Sequence, residues 1–138
     1  MSTNFIDTDV IVRFLTGDDP GKRAACLELF ERVGRGELVV TVPHSAIADA
    51  VVVLHSPRLY RLPKSQVAQM LTALLSLRGV RLHERHLVLA ALELYGGNAQ
   101  LDFTDAIIIA ASQQENGAIV YSYDKDYDRF DGVVRREP

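Results

Sequence analysis

Short β-branched runs alternate with helical segments along the chain, and this alternation constrains the fold more than any other feature. The run ELVVTV at 37–42 is continuously apolar or β-branched after its glutamate, as in a strand covered on both faces. Further runs of this kind occur at 80–82, 118–124 and 132–137. Strands that alternate with helices predict a three-layer α/β/α fold with a central, mostly parallel sheet.

Local signals mark the helices between these runs. Asp18 or Asp19 is expected to cap a first helix, with Pro20 in its first turn and Gly34 or Gly36 at its end. Four more helices are predicted over 43–56, 61–79, 84–97 and 101–117. Before them, NFID followed by VIV, within 4–12, predicts a short buried strand with an acid near its end.

Composition limits the class of protein. A chain of 138 residues fits a single domain over 1–138, and a hydrophobic content of 48% excludes disorder. The net charge of -3 gives no overall electrostatic footprint for nucleic acid, although an acidic pocket could mask basic residues elsewhere. One cysteine, Cys26, fits a reducing compartment. With no signal-peptide pattern and no apolar run near the ~20 residues of a membrane span, we expect a cytoplasmic protein without a membrane partner.

Four predicted elements each bring a carboxylate to the same edge of the sheet. Asp7 follows the first strand, and Asp49 lies early in the helix after the second. Asp102 and Asp105 open a later helix, and Asp124 ends the strand that follows it. Carboxylates gathered in the crevice beyond the strand ends would repel each other unless a cation lay between them. Hard oxygen ligands without a His or Cys set indicate Mg²⁺ or Mn²⁺.

These acids also have simpler structural explanations. Asp102 and Asp105 fit helix-capping and first-turn positions, and Asp124 fits a turn. Asp49 is harder to explain in this way, because it follows the expected cap, Ser45, by four residues and has apolar neighbours on both sides. A charge taken out of water costs several kcal/mol. We therefore expect Asp49 to face a crevice that holds a metal ion.

A carboxylate-held divalent ion suits phosphoryl chemistry. Such an ion lowers the pKa of a bound water, orients that water and stabilises charge on phosphate oxygens. A nearby hydroxyl, from Ser122 or Thr8, could position the water or the phosphate. The four histidines lack a metal-ligand spacing, which favours surface or capping roles for them.

Four motifs, taken in order, resemble those of a known family. FIDTDVIVRFLTGDDP, SAIADAVVVL, LDFTDAIIIAAS and VYSYDKDYDRF are similar to successive motifs of PIN-domain proteins, especially VapC-type toxins of bacterial toxin–antitoxin pairs. The resemblance covers essentially the whole chain. It implies a PIN-like fold and a Mg²⁺- or Mn²⁺-dependent endoribonuclease that hydrolyses RNA with a metal-activated water. It also implies a homodimer and a small antitoxin protein as partners.

The resemblance also implies roles for individual residues. The metal-binding and catalytic acids would be Asp7, Asp49, Asp105 and Asp124. Asp102 would be an accessory acid, and Ser122 would match a small hydroxyl position. Two residues depart from the family pattern. Asp49 stands where glutamate is usual, so activity could be weaker or the ion shifted, and Asp9 adds a charge where asparagine is common.

RNA must still meet positive charge, since phosphate contacts dominate affinity. The candidates are Arg13, Arg58, Arg61, Lys64, Arg85 and Lys125. An ordinary solvated charge is the simpler role for each, and Arg13 fits a structural ion pair equally well. Two other functions stay open. DTDV resembles an aspartyl-phosphate motif, which would make the chain a phosphoacceptor domain, and the change at position 49 would suit a non-catalytic PIN-like binding module.

Overall fold

Helices and short parallel strands make up the structure, a computed structural model that describes residues 3–138. The α/β class and the parallel strand pairing predicted from the sequence are confirmed. The described chain divides into two compact units, one ending at His83 and the other beginning at Glu84. The expectation of one domain over 1–138 stays a prediction. None of the helices within residues 3–138 combines the length and the apolar character needed to cross a membrane.

The first unit contains four α-helices and one short parallel strand pair. Its elements in chain order are α1 (Thr8–Thr16), α2 (Pro20–Gly34), β1 (Val40–Thr41), α3 (His44–His55), α4 (Lys64–Leu75) and β2 (Val80–Arg81). Val40 of β1 is in register with Val80 of β2, and Phe5 forms an isolated parallel bridge with Thr41. This pairing brings the chain just before α1 alongside β1, so the strand ends and the starts of α1 and α3 lie at one edge.

Apolar residues at helical spacing form the core of this unit. Ile47 and Leu54 of α3 and Leu71 and Leu75 of α4 are completely buried, as is Ile11 of α1. The spacing of seven along α3 and four along α4 places each pair on one face of its helix. Burial of these faces is the main stabilising contribution to the unit.

The second unit contains two α-helices, a 3₁₀-helix and another parallel strand pair. Its elements are α5 (Arg85–Gly97), α6 (Phe103–Gln113), β3 (Ile119–Tyr121), the 3₁₀-helix Lys125–Arg129 and β4 (Val134–Arg136). Leu92 of α5 and Ile109 of α6 are buried, and Tyr95 meets Phe103 edge to face with ring centroids 6.2 Å apart. The two helices thus pack through apolar and aromatic contacts.

The strand predicted across NFID and VIV is wrong in its second half. Only Phe5 pairs as a strand residue, and VIV lies within α1, where Ile11 is buried. Asp7 caps α1, and Gly17, with φ of +67°, ends it in the left-handed conformation that glycine adopts without strain. The β-branched residues favour a strand, but the capping residues at both ends and the buried face of the helix outweigh that preference.

The observed ends of the other helices and strands agree with the sequence predictions to different degrees. Asp19 caps α2 by accepting a hydrogen bond from Lys22 N at 3.1 Å, and the helix ends at Gly34, as predicted. Ser45 is not the cap of α3, because that helix begins at His44 after Pro43, which offers no side-chain cap. Strands β1 and β2 are two residues long, much shorter than the β-branched run at 37–42.

Candidate active site

A cleft of about 590 Å³ in the first unit brings two of the predicted acids together. Asp7 and Asp49 both line it, although they come from different elements. The remaining lining residues are Phe5, Ile6, Thr8, Val10, Pro43, Ser45 and Ala46. The cleft therefore combines two carboxylates and two hydroxyls with an apolar wall.

Asp7 stands at the N-terminus of α1. Its Oδ1 accepts a hydrogen bond from the backbone N–H of Val10 at 3.1 Å, and its side chain is exposed. The hydroxyl of Thr8 donates to the carbonyl of Ala46 at 3.2 Å, which ties the start of α1 to the start of α3. These two bonds fix the carboxylate of Asp7 in the cleft and leave its second oxygen for another partner.

Asp49 lies on the exposed side of α3. Its helical neighbours Ile47 and Ala50 are fully buried, whereas Asp49 itself is exposed to solvent. The carboxylate therefore does not incur the burial cost that its apolar sequence neighbours suggested. Asp49 lines the same cleft as Asp7, and the expectation that this cleft holds a metal ion stays a prediction.

A small pocket in the second unit brings the other two acids together. Asp105 of α6 and Asp124, which follows β3, both line it. The pocket has room of about 20 Å³, which is enough for a single water or ion. The remaining lining residues are Gln100, Leu101, Ile109, Asp126, Tyr127, Arg129 and Phe130.

Tyr127 is the buried polar residue of this pocket. Its hydroxyl donates a hydrogen bond to Oδ1 of Asp105 at 3.1 Å. Burial, then the hydrogen bond to Asp105, and then the charges of Asp105 and Asp124, raise the pKa of Tyr127 to about 12. The hydroxyl therefore stays protonated at neutral pH and acts as a donor that holds Asp105 in place.

Asp124 and Ser122 form a tight turn after β3. The Oγ of Ser122 accepts a hydrogen bond from Asp124 N at 3.0 Å, and Oδ1 of Asp124 accepts one from Asp126 N at 2.9 Å. The serine hydroxyl thus fixes the backbone that carries Asp124. Its predicted part in positioning a water or phosphate stays a prediction.

Asp102 occupies the cap position of α6 but makes no side-chain capping bond. It is exposed and is not among the residues that line the pocket with Asp105. Burial, and after it the charge of Asp102, raise the pKa of Tyr95 to about 12. Asp102 therefore acts on its surroundings through its charge, and its accessory role at the site stays a prediction.

The additional acid Asp9 is engaged in an ion pair. Arg13 lies 3.3 Å from Asp9 and 3.1 Å from Asp18, so the structural ion pair considered for Arg13 is present. Asp18 also accepts hydrogen bonds from Tyr60 at 2.5 Å and from Thr16 at 3.2 Å. The Tyr60 bond is the main cause that lowers the pKa of Asp18. Sequence reasoning missed this cluster, which ties the chain at Tyr60 to the end of α1.

The carboxylate oxygens of these acids are suitable ligands for a hard divalent ion. The four acids lie in two separate pairs, however, and do not form one described cluster. One pair is Asp7 with Asp49, and the other is Asp105 with Asp124. Within residues 3–138, no three His, Cys, Asp or Glu side chains form a group that could hold a metal ion. Carboxylates are the ligands that Mg²⁺ and Mn²⁺ prefer, so the donor chemistry fits. A single site formed by all four acids stays a prediction.

Tyr127 is a polar residue of the pocket that sequence reasoning missed. Asp124 is followed by a 3₁₀-helix, Lys125–Arg129, whose one buried residue is Tyr127. A tyrosine three residues after a capping acid is a weak signal, since it equally fits an exposed turn. Only the fold shows that its hydroxyl reaches Asp105, 22 residues earlier in the chain.

An α/β fold with carboxylate-lined clefts defines a class of proteins suited to metal-assisted chemistry on phosphates. Residues 5–133 match the model of the PIN domain, so the chain belongs to the PIN-domain family. The match extends across both compact units. No curated protein matches the chain. PIN domains are in general metal-dependent nucleases that act on nucleic acid.

Proposed function

We propose that this PIN-domain protein is a Mg²⁺- or Mn²⁺-dependent endoribonuclease that acts as the toxin of a type II toxin–antitoxin pair. The observation that carries the proposal is the pairing of the motif acids. Asp7 and Asp49 share one cleft, and Asp105 and Asp124 share one pocket. Scattered surface acids with only local roles would not be expected to pair in this way.

In this proposal the four aspartates hold the divalent ion. When bound, the ion lowers the pKa of a water and stabilises negative charge on the phosphodiester. The chain itself orients the carboxylates. The Val10 amide and the Tyr127 hydroxyl each engage one oxygen of an acid, at 3.1 Å in both cases. Preorganised carboxylates lose less conformational entropy when the ion binds.

The toxin role, the small antitoxin and the homodimer rest on the likeness of the motifs to those of VapC-type toxins. Exposed acids in an open cleft suit inhibition by a partner segment that carries positive charge. Co-expression tests this part of the proposal. Expression of the chain alone is expected to arrest growth, and co-expression of a small neighbouring gene is expected to restore it.

Cleavage of RNA tests the enzymatic part. The purified protein is expected to cut single-stranded RNA with Mg²⁺ or Mn²⁺ and to lose this activity with a chelator. Asp7→Asn and Asp105→Asn are each expected to lower kcat by about 100-fold or more, as removal of a key electrostatic group does elsewhere. Asp131→Asn is the matched control, because Asp131 is exposed and lines neither site. Cleavage that persists in the chelator, or in both site variants, would contradict the proposal.

A non-catalytic binding module is the second candidate. The observation that favours it is Asp49, whose side chain is one methylene shorter than the glutamate usual at this position. RNA binding without cleavage at any concentration of Mn²⁺ would support this candidate. For a phosphoacceptor domain the cleft offers no comparable support, since no lysine is among the residues that line it.

A further inference from the structure

Two tyrosines of the second unit are exposed, Tyr121 at the end of β3 and Tyr123 in the bend that follows it. The exposed fraction is 66% for Tyr121 and 70% for Tyr123. Alternate residues of a strand share a face, and the register pairs Ile119 with Val134 and Tyr121 with Arg136. We use the name tyrosine face for the exposed residues of this strand face together with Tyr123 of the adjoining bend; its residues are Ile119, Tyr121, Tyr123, Val134 and Arg136.

The exposure of these rings is a property of this face and not of tyrosine in general. Tyr127, only four residues after Tyr123, is buried and hydrogen-bonded. Val120 and Arg135, on the opposite face of the strands, are partly covered. Exposed aromatic rings contribute little to folding, so a surface that gathers two of them has area available for a ligand.

The two arginines of β4 differ in whether they are available to a ligand. Arg135 is tied to Asp128 at 3.1 Å, to Glu137 at 3.5 Å and to the carbonyl of Ser122 at 3.0 Å. Arg136 points to the exposed side, and the described part of the chain provides it with no ion pair. Lys125, exposed, follows Asp124 directly. Arg136 therefore presents a positive charge next to the ring of Tyr121 on this face.

We propose that the tyrosine face binds single-stranded RNA, with Tyr121 and Tyr123 stacking on bases and Arg136 contacting a phosphate. The proposal rests on the proposed nuclease function and names how that site receives its substrate. Tyr123 directly precedes Asp124, so a strand stacked on the two rings leads to one of the proposed metal-binding acids. Aromatic side chains stack on any base, which gives binding without a strict sequence requirement.

The position of Tyr123 directly before a proposed metal-binding acid favours RNA over a protein partner. A polyanion complements Arg136, and every base offers a π-face to the tyrosine rings. Tyrosine and arginine are also enriched at the centres of protein interfaces, so loss of self-association in the tyrosine variants is an outcome that the test must distinguish.

Binding of a non-cleavable RNA in the absence of metal tests the proposal apart from catalysis. The probe is a fluorescently labelled 2′-O-methyl oligouridine in chelator. Tyr121→Leu and Tyr123→Leu keep apolar area but remove the aromatic ring, and each is expected to raise Kd by about 5- to 100-fold. The matched Tyr→Phe variants keep the ring and are expected to bind within about two-fold of the parent protein. Circular dichroism confirms that each variant is folded.

The salt dependence tests the arginine. Arg136→Gln is expected to reduce the slope of log Kd against log salt by about 0.7, the value for one phosphate contact to a single strand. Arg81→Gln is the control, since Arg81 is also an exposed strand arginine but lies in β2. An unchanged slope for Arg136→Gln would overturn the arginine's role.

Two results would overturn the stacking itself. One is unchanged RNA affinity in both leucine variants. The other is a loss of self-association or antitoxin binding in those variants with RNA affinity intact, which would assign the face to a protein partner. Ring-dependent binding by a protein that never cleaves RNA would instead remove the nuclease proposal and leave this surface as an RNA-binding one.

Discussion

The hydroxyl of Tyr127 donates a hydrogen bond of 3.1 Å to Oδ1 of Asp105. This contact joins the 3₁₀-helix Lys125–Arg129 to the first turn of α6. It fixes one oxygen of a proposed metal-binding carboxylate with a donor that stays neutral, because the pKa of Tyr127 is raised to about 12. A neutral donor orients the carboxylate without cancelling the charge that a cation requires.

Tyr127→Phe is expected to separate this orienting role from simple packing. The ring stays buried, so the change in the free energy of unfolding should be limited to the lost hydrogen bond, about 1.5 to 3 kcal/mol for a bond to a charged group. The freed carboxylate is expected to weaken Mn²⁺ binding by about 10- to 100-fold, as loss of an outer-shell partner does at other sites. Calorimetric titration with Mn²⁺ measures the effect.

Tyr95→Phe provides the control for that experiment. It removes another buried hydroxyl of the same unit, and Tyr95 is not among the residues that line the pocket with Asp105. Its Mn²⁺ affinity is therefore expected to match the parent protein. Equal affinities in Tyr127→Phe and Tyr95→Phe would show that the Tyr127 bond has no part in metal binding.

The ionisation of Tyr95 is expected to make the free energy of unfolding depend on pH in the alkaline range. Burial first, and then the charge of Asp102, raise its pKa from 10.0 to about 12. Because the folded state holds the proton more tightly, the resulting stability is fully present below pH 10 and is lost as the pH rises toward about 12. The difference in unfolding free energy between the parent protein and Tyr95→Phe should therefore shrink over that range.

Urea unfolding at a series of pH values measures this difference. The tyrosinate absorbance of the folded protein gives an independent reading, since Tyr95→Phe should lose a component that titrates late. Asp102→Asn is expected to move that component to lower pH, because it removes the second cause of the shift. A pH-independent difference between the parent protein and Tyr95→Phe would exclude a raised pKa for this residue.

The sequence predicted the elements whose signals are local. The boundaries of α2 followed from Asp19, Pro20 and Gly34, which lie at the ends of the helix itself. The helical conformation of α1 could not be predicted in this way. Val10–Val12 favours a strand, and only the cap at Asp7 and the turn at Gly17 favour a helix. Where local preferences conflict, burial against distant residues decides the outcome.

The same limit applies to the candidate site. Asp7 and Asp124 stand out in the sequence because each follows a strand-like run, and Asp49 stands out because it interrupts an apolar helical pattern. The contact between Tyr127 and Asp105 could not be found from the sequence, because it depends on how a 3₁₀-helix is placed against α6. The pairing of Arg13 with Asp9 follows from their i, i+4 spacing, whereas the bond from Tyr60 to Asp18 joins residues 42 positions apart.

Asp49→Glu is expected to increase activity if the shorter side chain limits metal binding. Asp49 is exposed, so one extra methylene should fit without strain and leave the melting temperature unchanged. The longer side chain reaches further into the cleft shared with Asp7 and should bind Mn²⁺ more tightly. Steady-state cleavage across a range of Mn²⁺ concentrations measures both effects. Asp131→Glu is the control, and a fall in activity for Asp49→Glu would show that the site is adapted to aspartate.

Asp7→Asn and Asp105→Asn test whether the two acid pairs serve one ion. Without metal, each substitution is expected to leave the protein as stable as the parent or more stable, because it removes repulsion between neighbouring carboxylates. Asparagine Oδ1 can still accept the bonds from the Val10 amide and the Tyr127 hydroxyl, so the fold is preserved. If both acids bind the same ion, the losses in Mn²⁺ affinity will not add in the double variant, since the first removal already disrupts the site. Strictly additive losses would instead indicate that the two carboxylates act on Mn²⁺ independently.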